Sequence, residues 1–280
     1  MKKFSIIVIL LFMVVLAIDS INYLNNYNKQ VELVEQLKME GYTGEGPRHL
    51  NVFDKMKDYY NNGALISIQF IYPLLIIIFG CVSFHKKIHN GFFKNITKNK
   101  EYKKYINKEI FNSWKSILII PLFFIIIFLA SCIVTNFNFD LQTNSMFQSE
   151  FITNGSLFSN FIDILLICIN LMLVSIFIVN IGILFVKFNN NFIISCVISY
   201  LFLIIYQIVC EIIIVPFLTN ITGSYFFANG LTLFNFWHYD TGVTALSMTI
   251  YSLLLIAVSL IILKINYHNK NFNNIKMIKE

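Results

Sequence analysis

Six long apolar runs separated by polar stretches set the pattern of this chain, at about 4–24, 64–84, 116–135, 158–186, 191–218 and 243–263. Each holds roughly 18 or more residues with few or no charges, enough to cross about 30 Å of hydrocarbon as a helix. The runs are continuously apolar, whereas the strands of a membrane barrel alternate over about ten residues. The pattern predicts an all-α polytopic membrane protein in which residues 1–280 form one transmembrane domain of six helices.

The intervening segments have periodicities of their own. In the loop 25–63, Val31, Val34 and Leu37 recur at helical spacing, as do Phe53, Met56 and Tyr60. Gly41-Tyr42-Thr43-Gly44-Glu45-Gly46-Pro47 lies between them and is rich in helix breakers. Two short amphipathic helices joined by a turn are expected, forming a structural cap in preference to a ligand-binding domain. The segment 219–242 carries Phe226, Phe227, Leu231, Leu233, Phe234, Phe236 and Trp237, too apolar for a hydrated connection. Pro216 is expected to end the fifth helix because it lacks the helical N–H, with short re-entrant helices following.

The segment 85–115 divides in two. Phe92 and Ile96 are four residues apart, on one face of a short helix. From Glu101 onward, Tyr102, Tyr105, Ile106, Ile110 and Trp114 keep an i, i+3, i+4 rhythm. This second part predicts an amphipathic helix on the membrane surface that feeds the third span.

Charge fixes the expected orientation. The chain is 57% hydrophobic and 13% charged, far from the roughly 25% charged residues of a soluble domain. The N-terminus, segment 85–115, the turn holding Lys187 and the tail from Lys264 together carry 16 of the 21 Lys and Arg residues and three acids. Residues 19–63, 136–157 and 219–242 carry five basic and ten acidic residues. Because cytoplasmic loops are enriched in Lys and Arg, both termini and the 85–115 segment are expected in the cytoplasm of a multi-pass cell-membrane protein. The net charge of +6 then reflects topology and contact with the lipid bilayer, and no nucleic acid is implied. Near the surface each such lysine contributes about 1 kcal/mol toward anionic lipid.

Ala17-Ile18-Asp19 gives no small-x-small cleavage pattern, so the first run is expected to remain as a helix. All five cysteines (Cys81, Cys132, Cys168, Cys196, Cys210) fall within the apolar runs without metal-ligand spacing, as small packing residues do. Abundant Ile, Asn, Lys and Phe with one arginine, Arg48, fit the AT-rich coding of a bacterium.

Catalytic signatures are absent from the sequence. None of the eleven glycines precedes a lysine, which removes the phosphate-cradling loop of ATPases. His-Glu-x-x-His and Gly-x-Ser-x-Gly are also missing. His85 and His89 are four apart, but no third ligand lies nearby, so no metal and no cofactor are expected.

Asp163 and Glu211 lie inside predicted spans, roughly 8–11 Å below the helix ends. Such groups cost on the order of 2.5–3.5 kcal/mol on insertion scales and usually face the bundle interior. At 100° per residue, Asn160, Asp163 and Asn170 fall within about 80°, and Tyr200, Gln207 and Glu211 within about 40°. Gln69, Tyr72 and Ser83 share a face of the second span. These residues are candidates for a polar seam lining a translocation pathway. The alternative is that Asp163 and Glu211 only reach toward the interface.

Ser83-Phe84-His85-Lys86-Lys87-Ile88-His89-Asn90-Gly91-Phe92-Phe93-Lys94-Asn95-Ile96, then Tyr102-Lys103-Lys104-Tyr105-Ile106-Asn107-Lys108, resembles the coupling and connecting helices of permease subunits of type-2 ABC exporters. Six helices, cytoplasmic termini and apolar re-entrant segments before the last helix are similar as well. The departures are His85-Lys86-Lys87, where the family often has a glutamate, and Thr97-Lys98-Asn99-Lys100, where it often has a Pro-x-Ser-Arg type stretch. The resemblance implies a transport subunit without its own ATPase site. Gly91, Phe92, Phe93, Lys94 and Ile96 would dock into a cytosolic ABC ATPase subunit, and a second permease copy or paralogue would complete the pathway. Antimicrobial-peptide or drug efflux is among the functions of such small permeases. A membrane-embedded enzyme is disfavoured by the scattered histidines, and a non-transport sensor or assembly factor would leave the docking loop idle.

Overall fold

A computed structural model of the chain describes residues 2–44, 47, 50–61, 65–90, 102–139, 157–223 and 245–268. Among the described residues the regular structure is helical, with no strand. Six helices are long and apolar enough to cross a membrane, as the hydrophobic runs predict. The elements are α1 (Lys2–Met39), α2 (Val52–Asn61), α3 (Leu65–His89), α4 (Tyr102–Trp114), a 3₁₀ turn (Lys115–Leu118), α5 (Ile119–Val134), α6 (Leu157–Val186), α7 (Phe192–Val209), a π-turn (Cys210–Ile214), α8 (Val215–Thr222) and α9 (Ala245–His268). The expected docking segment 91–96 and the expected re-entrant segment 224–242 lie outside the described residues.

Three boundaries differ from the sequence expectation, each for a local reason. The first run does not stop near residue 24: α1 continues for 38 residues to Met39, about 57 Å at 1.5 Å per residue. No Gly or Pro interrupts it until Gly41, which adopts φ +97°, a conformation suited to glycine. The expected short helix around Val31, Val34 and Leu37 is therefore the far end of α1. Helix α3 runs five residues past the expected 84, taking in His85, Lys86, Lys87 and His89.

The third difference concerns Pro216. It does not end the fifth span; α8 continues to Thr222. The preceding π-turn supplies the room, with the Val215 N–H reaching the Cys210 carbonyl five residues back. That wider register moves carbonyls away from the proline ring, which would clash with the residue i−4 carbonyl of a regular helix. Glu211 consequently lies about 16 Å from the helix end at Thr222, deeper than its predicted position.

The chain divides into two compact units, Met1–Ile68 with Pro121–Ile164, and Gln69–Ile120 with Leu165–Glu280. In the first, Asn51 caps α2 by accepting the Asp54 N–H at 2.7 Å. The Val52 N–H bonds the Asn138 carbonyl at 2.9 Å, just beyond the end of α5. Phe53 is buried edge-on to Phe139 and Phe161, with centroids 6.0 and 5.3 Å away. Lys55 is 2% exposed, its ammonium 4.2 Å from the Tyr23 ring centre and 4.3 Å from that of Tyr59. Asp58 pairs with it, and Ser20 bonds the Tyr59 hydroxyl. Burial raises the Tyr59 phenol above its ordinary value near 10.

Phe53, Lys55 and Tyr59 of α2 are thus buried in packing contacts. Lys55→Met keeps the volume but removes the cation between the rings, leaving Asp58 without this ion pair. The expected loss is about 1–2 kcal/mol, read as a lower unfolding temperature in detergent.

The second unit is built on a close approach of α3 and α6. A Cβ on Gly80 would meet Val179 Cγ2 at 2.7 Å, and one on Gly182 would meet Cys81 Sγ at 2.5 Å. Small residues facing one another let the backbones approach, and dispersion accumulates where lipid supplies no hydrophobic drive. Cys81 also donates to the Val179 carbonyl at 3.6 Å. All five cysteines are free, in keeping with a packing role.

Candidate functional site

A set of side-chain links in the second unit surrounds α4, the helix between the 91–101 segment and the third span. Its rhythm of apolar residues buries Tyr102, Ile106 and Ile110, together with Glu109 and Ser113. Glu109, one of only two acids in the 85–115 segment, is not a solvated charge. It is 5% exposed and pairs with Lys87 near the end of α3. A carboxylate so buried is stabilised only by such a partner.

Two hydrogen-bonded chains join α4 to other helices. Tyr102 donates its hydroxyl to the Tyr267 carbonyl in the last turn of α9, at 2.5 Å. The fully buried Tyr267 hydroxyl donates in turn to the Ile183 carbonyl of α6 at 2.7 Å. The Tyr267 ring packs edge-on against Phe84 of α3, with centroids 5.5 Å apart. At the other end of α4, the Trp114 indole N–H donates to Asn180 Oδ1 on α6 at 2.9 Å. The Asn180 amide N–H donates to Ser259 Oγ on α9 at 2.9 Å, and Ser259 donates to the Ile256 carbonyl at 2.9 Å. Asn180 and Ser259 are buried, so breaking either chain leaves polar groups in apolar surroundings.

The turn after α6 closes the same region. Lys187 is 9% exposed; its ammonium donates to the Asn266 carbonyl at 2.8 Å and lies 5.5 Å from the Tyr267 ring centre. Burial holds this ammonium below the ordinary lysine range. Predicted only as a topology signal, Lys187 also caps the end of α9. His85 and His89 are buried, with rings 4.4 Å apart. His85 Nε2 lies 3.3 Å from the Asn189 carbonyl, and His89 Nε2 lies 2.9 Å from that of Val186. Both imidazoles thereby tie α3 to the α6–α7 turn. Among the described residues no group of three His, Cys, Asp or Glu side chains could hold a metal.

The expected pathway residues are distributed as follows. Gln69, Asn160 and Asp163 lie on α3 and α6, and their side chains lie outside what is described. Tyr72 is buried, its hydroxyl bonded to Ser175 of α6. Asn170 is buried and accepts from Thr249 of α9 at 2.8 Å. Tyr200 is half-buried on α7. Gln207 is buried and donates to Glu211 at 2.5 Å, while Glu211 itself is exposed within the π-turn. The helical-wheel grouping thus brings Gln207 and Glu211 together, whereas Tyr72 and Asn170 each bond a different helix. Gly91, Phe92, Phe93, Lys94 and Ile96 lie outside the described residues.

Sequence reasoning did not single out the Trp114–Asn180–Ser259 chain. An amide within the apolar run Ile178-Val179-Asn180-Ile181 must find partners in a membrane, which was the available signal. Periodicity does not identify those partners, because they are 66 and 79 residues away. Comparison with known proteins adds nothing to this geometry: no family model, no curated protein and no solved structure matches the chain.

Proposed function

We propose that this chain is the membrane-spanning permease subunit of an ATP-driven exporter, of the type-2 ABC kind that its basic segment resembles. It would form half of a translocation pathway with a second permease copy or paralogue. A separate cytosolic ATPase would supply the energy, with no ATPase chemistry in this chain. On this reading the lysine-rich side is cytoplasmic, and cargo of the antimicrobial-peptide or drug type would make the system one of resistance or immunity.

The observation that carries the proposal is the anchoring of both ends of the basic segment. On one side α3 ends at His89 with two imidazoles bonded to the α6–α7 turn. On the other, α4 is held by Tyr267 of α9 and Asn180 of α6. A force applied to Phe92, Phe93 and Ile96 would reach the spanning helices with little slack, as a lever needs. The exposed Glu211 in a π-turn supports a pathway role for that stretch, since π-turns gather at functional sites. The long α1 and its cap favour a sensor as the second reading.

The test is whether a cytosolic ABC ATPase co-purifies with this chain. Tagged protein extracted in mild detergent should retain it, and deletion of residues 91–96 should lower retention by at least tenfold without changing the unfolding temperature. An unchanged complex after the deletion, or no ATPase with the intact chain, would overturn the proposal.

A further inference from the structure

The outward side of α4 and the turn after it has a composition that the buried side does not explain. Lys104, Lys108, Phe111, Lys115 and Leu118 fall on one side of this segment, within about 80°. All five are exposed, Phe111 at 60% and Leu118 at 65%. Glu109, the only carboxylate on α4, is on the buried face and paired with Lys87, so among the described residues of this segment no acid lies on the side of the three lysines. A solvated helix face has no use for an exposed phenylalanine and leucine. A protein-docking face would not need them directly before an apolar span.

We infer that this stripe is a binding surface for anionic lipid, with the three ammonium groups on headgroup phosphates and Phe111 and Leu118 entering the acyl-chain boundary. Lysine stems cover apolar surface while their charged ends reach outward. Amphipathic helices combining basic and large apolar residues bind in this way. The position in the chain agrees: the stripe ends at Leu118, and α5 begins at Ile119. That junction places the preceding turn at the boundary between headgroups and hydrocarbon. The inference concerns the lipid alone and does not depend on the ATPase.

Two measurements test it. Native mass spectrometry of protein released from mixed phosphatidylglycerol and phosphatidylcholine should show selective retention of phosphatidylglycerol. The combined Lys104→Gln, Lys108→Gln and Lys115→Gln variant should reduce that selectivity roughly 100-fold, at about fivefold per lysine. Lys103→Gln, exposed but off the stripe, should change it less than twofold. Equal selectivity in the triple variant and the parent would overturn the inference.

The second measurement needs no lysine substitution. Trp237→Phe leaves Trp114 as the remaining one of two tryptophans, and its ring centre is 4.6 Å from that of Phe111. Lipids brominated near the headgroup end of the acyl chain should quench its fluorescence. Absence of quenching, or quenching abolished by a protein that co-purifies on this face, would also overturn the inference.

Discussion

Gly182→Ala is expected to destabilise the protein by about 1–3 kcal/mol, and Cys81→Ala in the same chain to recover most of that loss. A methyl group on Gly182 would sit 2.5 Å from Cys81 Sγ, well inside van der Waals contact. The sulfur is fully buried on α3. Overpacking a close helix crossing costs in this range, and here it would push apart two helices that lie unusually near one another. With the sulfur removed, the nearest atom becomes Ile77 Cγ2 at 3.1 Å, which a small rotation accommodates. The double-mutant cycle, read from thermal unfolding in detergent, should show a coupling energy comparable to the Gly182→Ala loss itself. Additive effects of the two substitutions would refute the close crossing.

Asn180→Leu should cost about 2–3 kcal/mol, although leucine fills a similar volume and suits an apolar span better by transfer. Asn180 both accepts from Trp114 and donates to Ser259. Leucine removes two interhelical bonds, each worth about 0.6–1.7 kcal/mol between membrane helices. It also leaves the Trp114 indole N–H without this acceptor in a half-buried site. Trp114→Phe alone should cost about 1 kcal/mol and, added to Asn180→Leu, little more, because the bond it would break is already gone. The unfolding temperatures of the two single variants and the double variant decide this. A stabilised Asn180→Leu protein would show that the chain of bonds contributes nothing.

The exporter reading gives the second prediction a functional side. If force on residues 91–96 is passed on by α4, the Trp114–Asn180–Ser259 chain is one route by which α6 and α9 receive it. Tyr102 and Tyr267 form another. Both routes end in helices, not loops, as stiff transmission needs.

The amino-acid sequence by itself determined the class of the protein. Six continuously apolar runs predict helices, which satisfy their own backbone N–H and C=O groups, and six helices of the structure are long and apolar enough to cross a membrane. It also determined α2 and α4, whose periodicities at Phe53, Met56 and Tyr60 and at Tyr102, Ile106 and Ile110 match the observed helices. Local pattern misplaced the end of α1 and the effect of Pro216. Apolarity does not mark where a helix stops, and a π-turn has no signature in composition.

Only the tertiary structure decided which polar groups meet. The wheel grouping could place Gln207 beside Glu211, four residues on along one helix. It could not pair Glu109 with Lys87, Asn180 with Trp114 and Ser259, or Lys187 with the end of α9. Helical periodicity fixes the face a residue occupies, but the rotation and depth of each helix against the next depend on packing. Gly80 and Gly182 show how: their missing side chains bring α3 and α6 together.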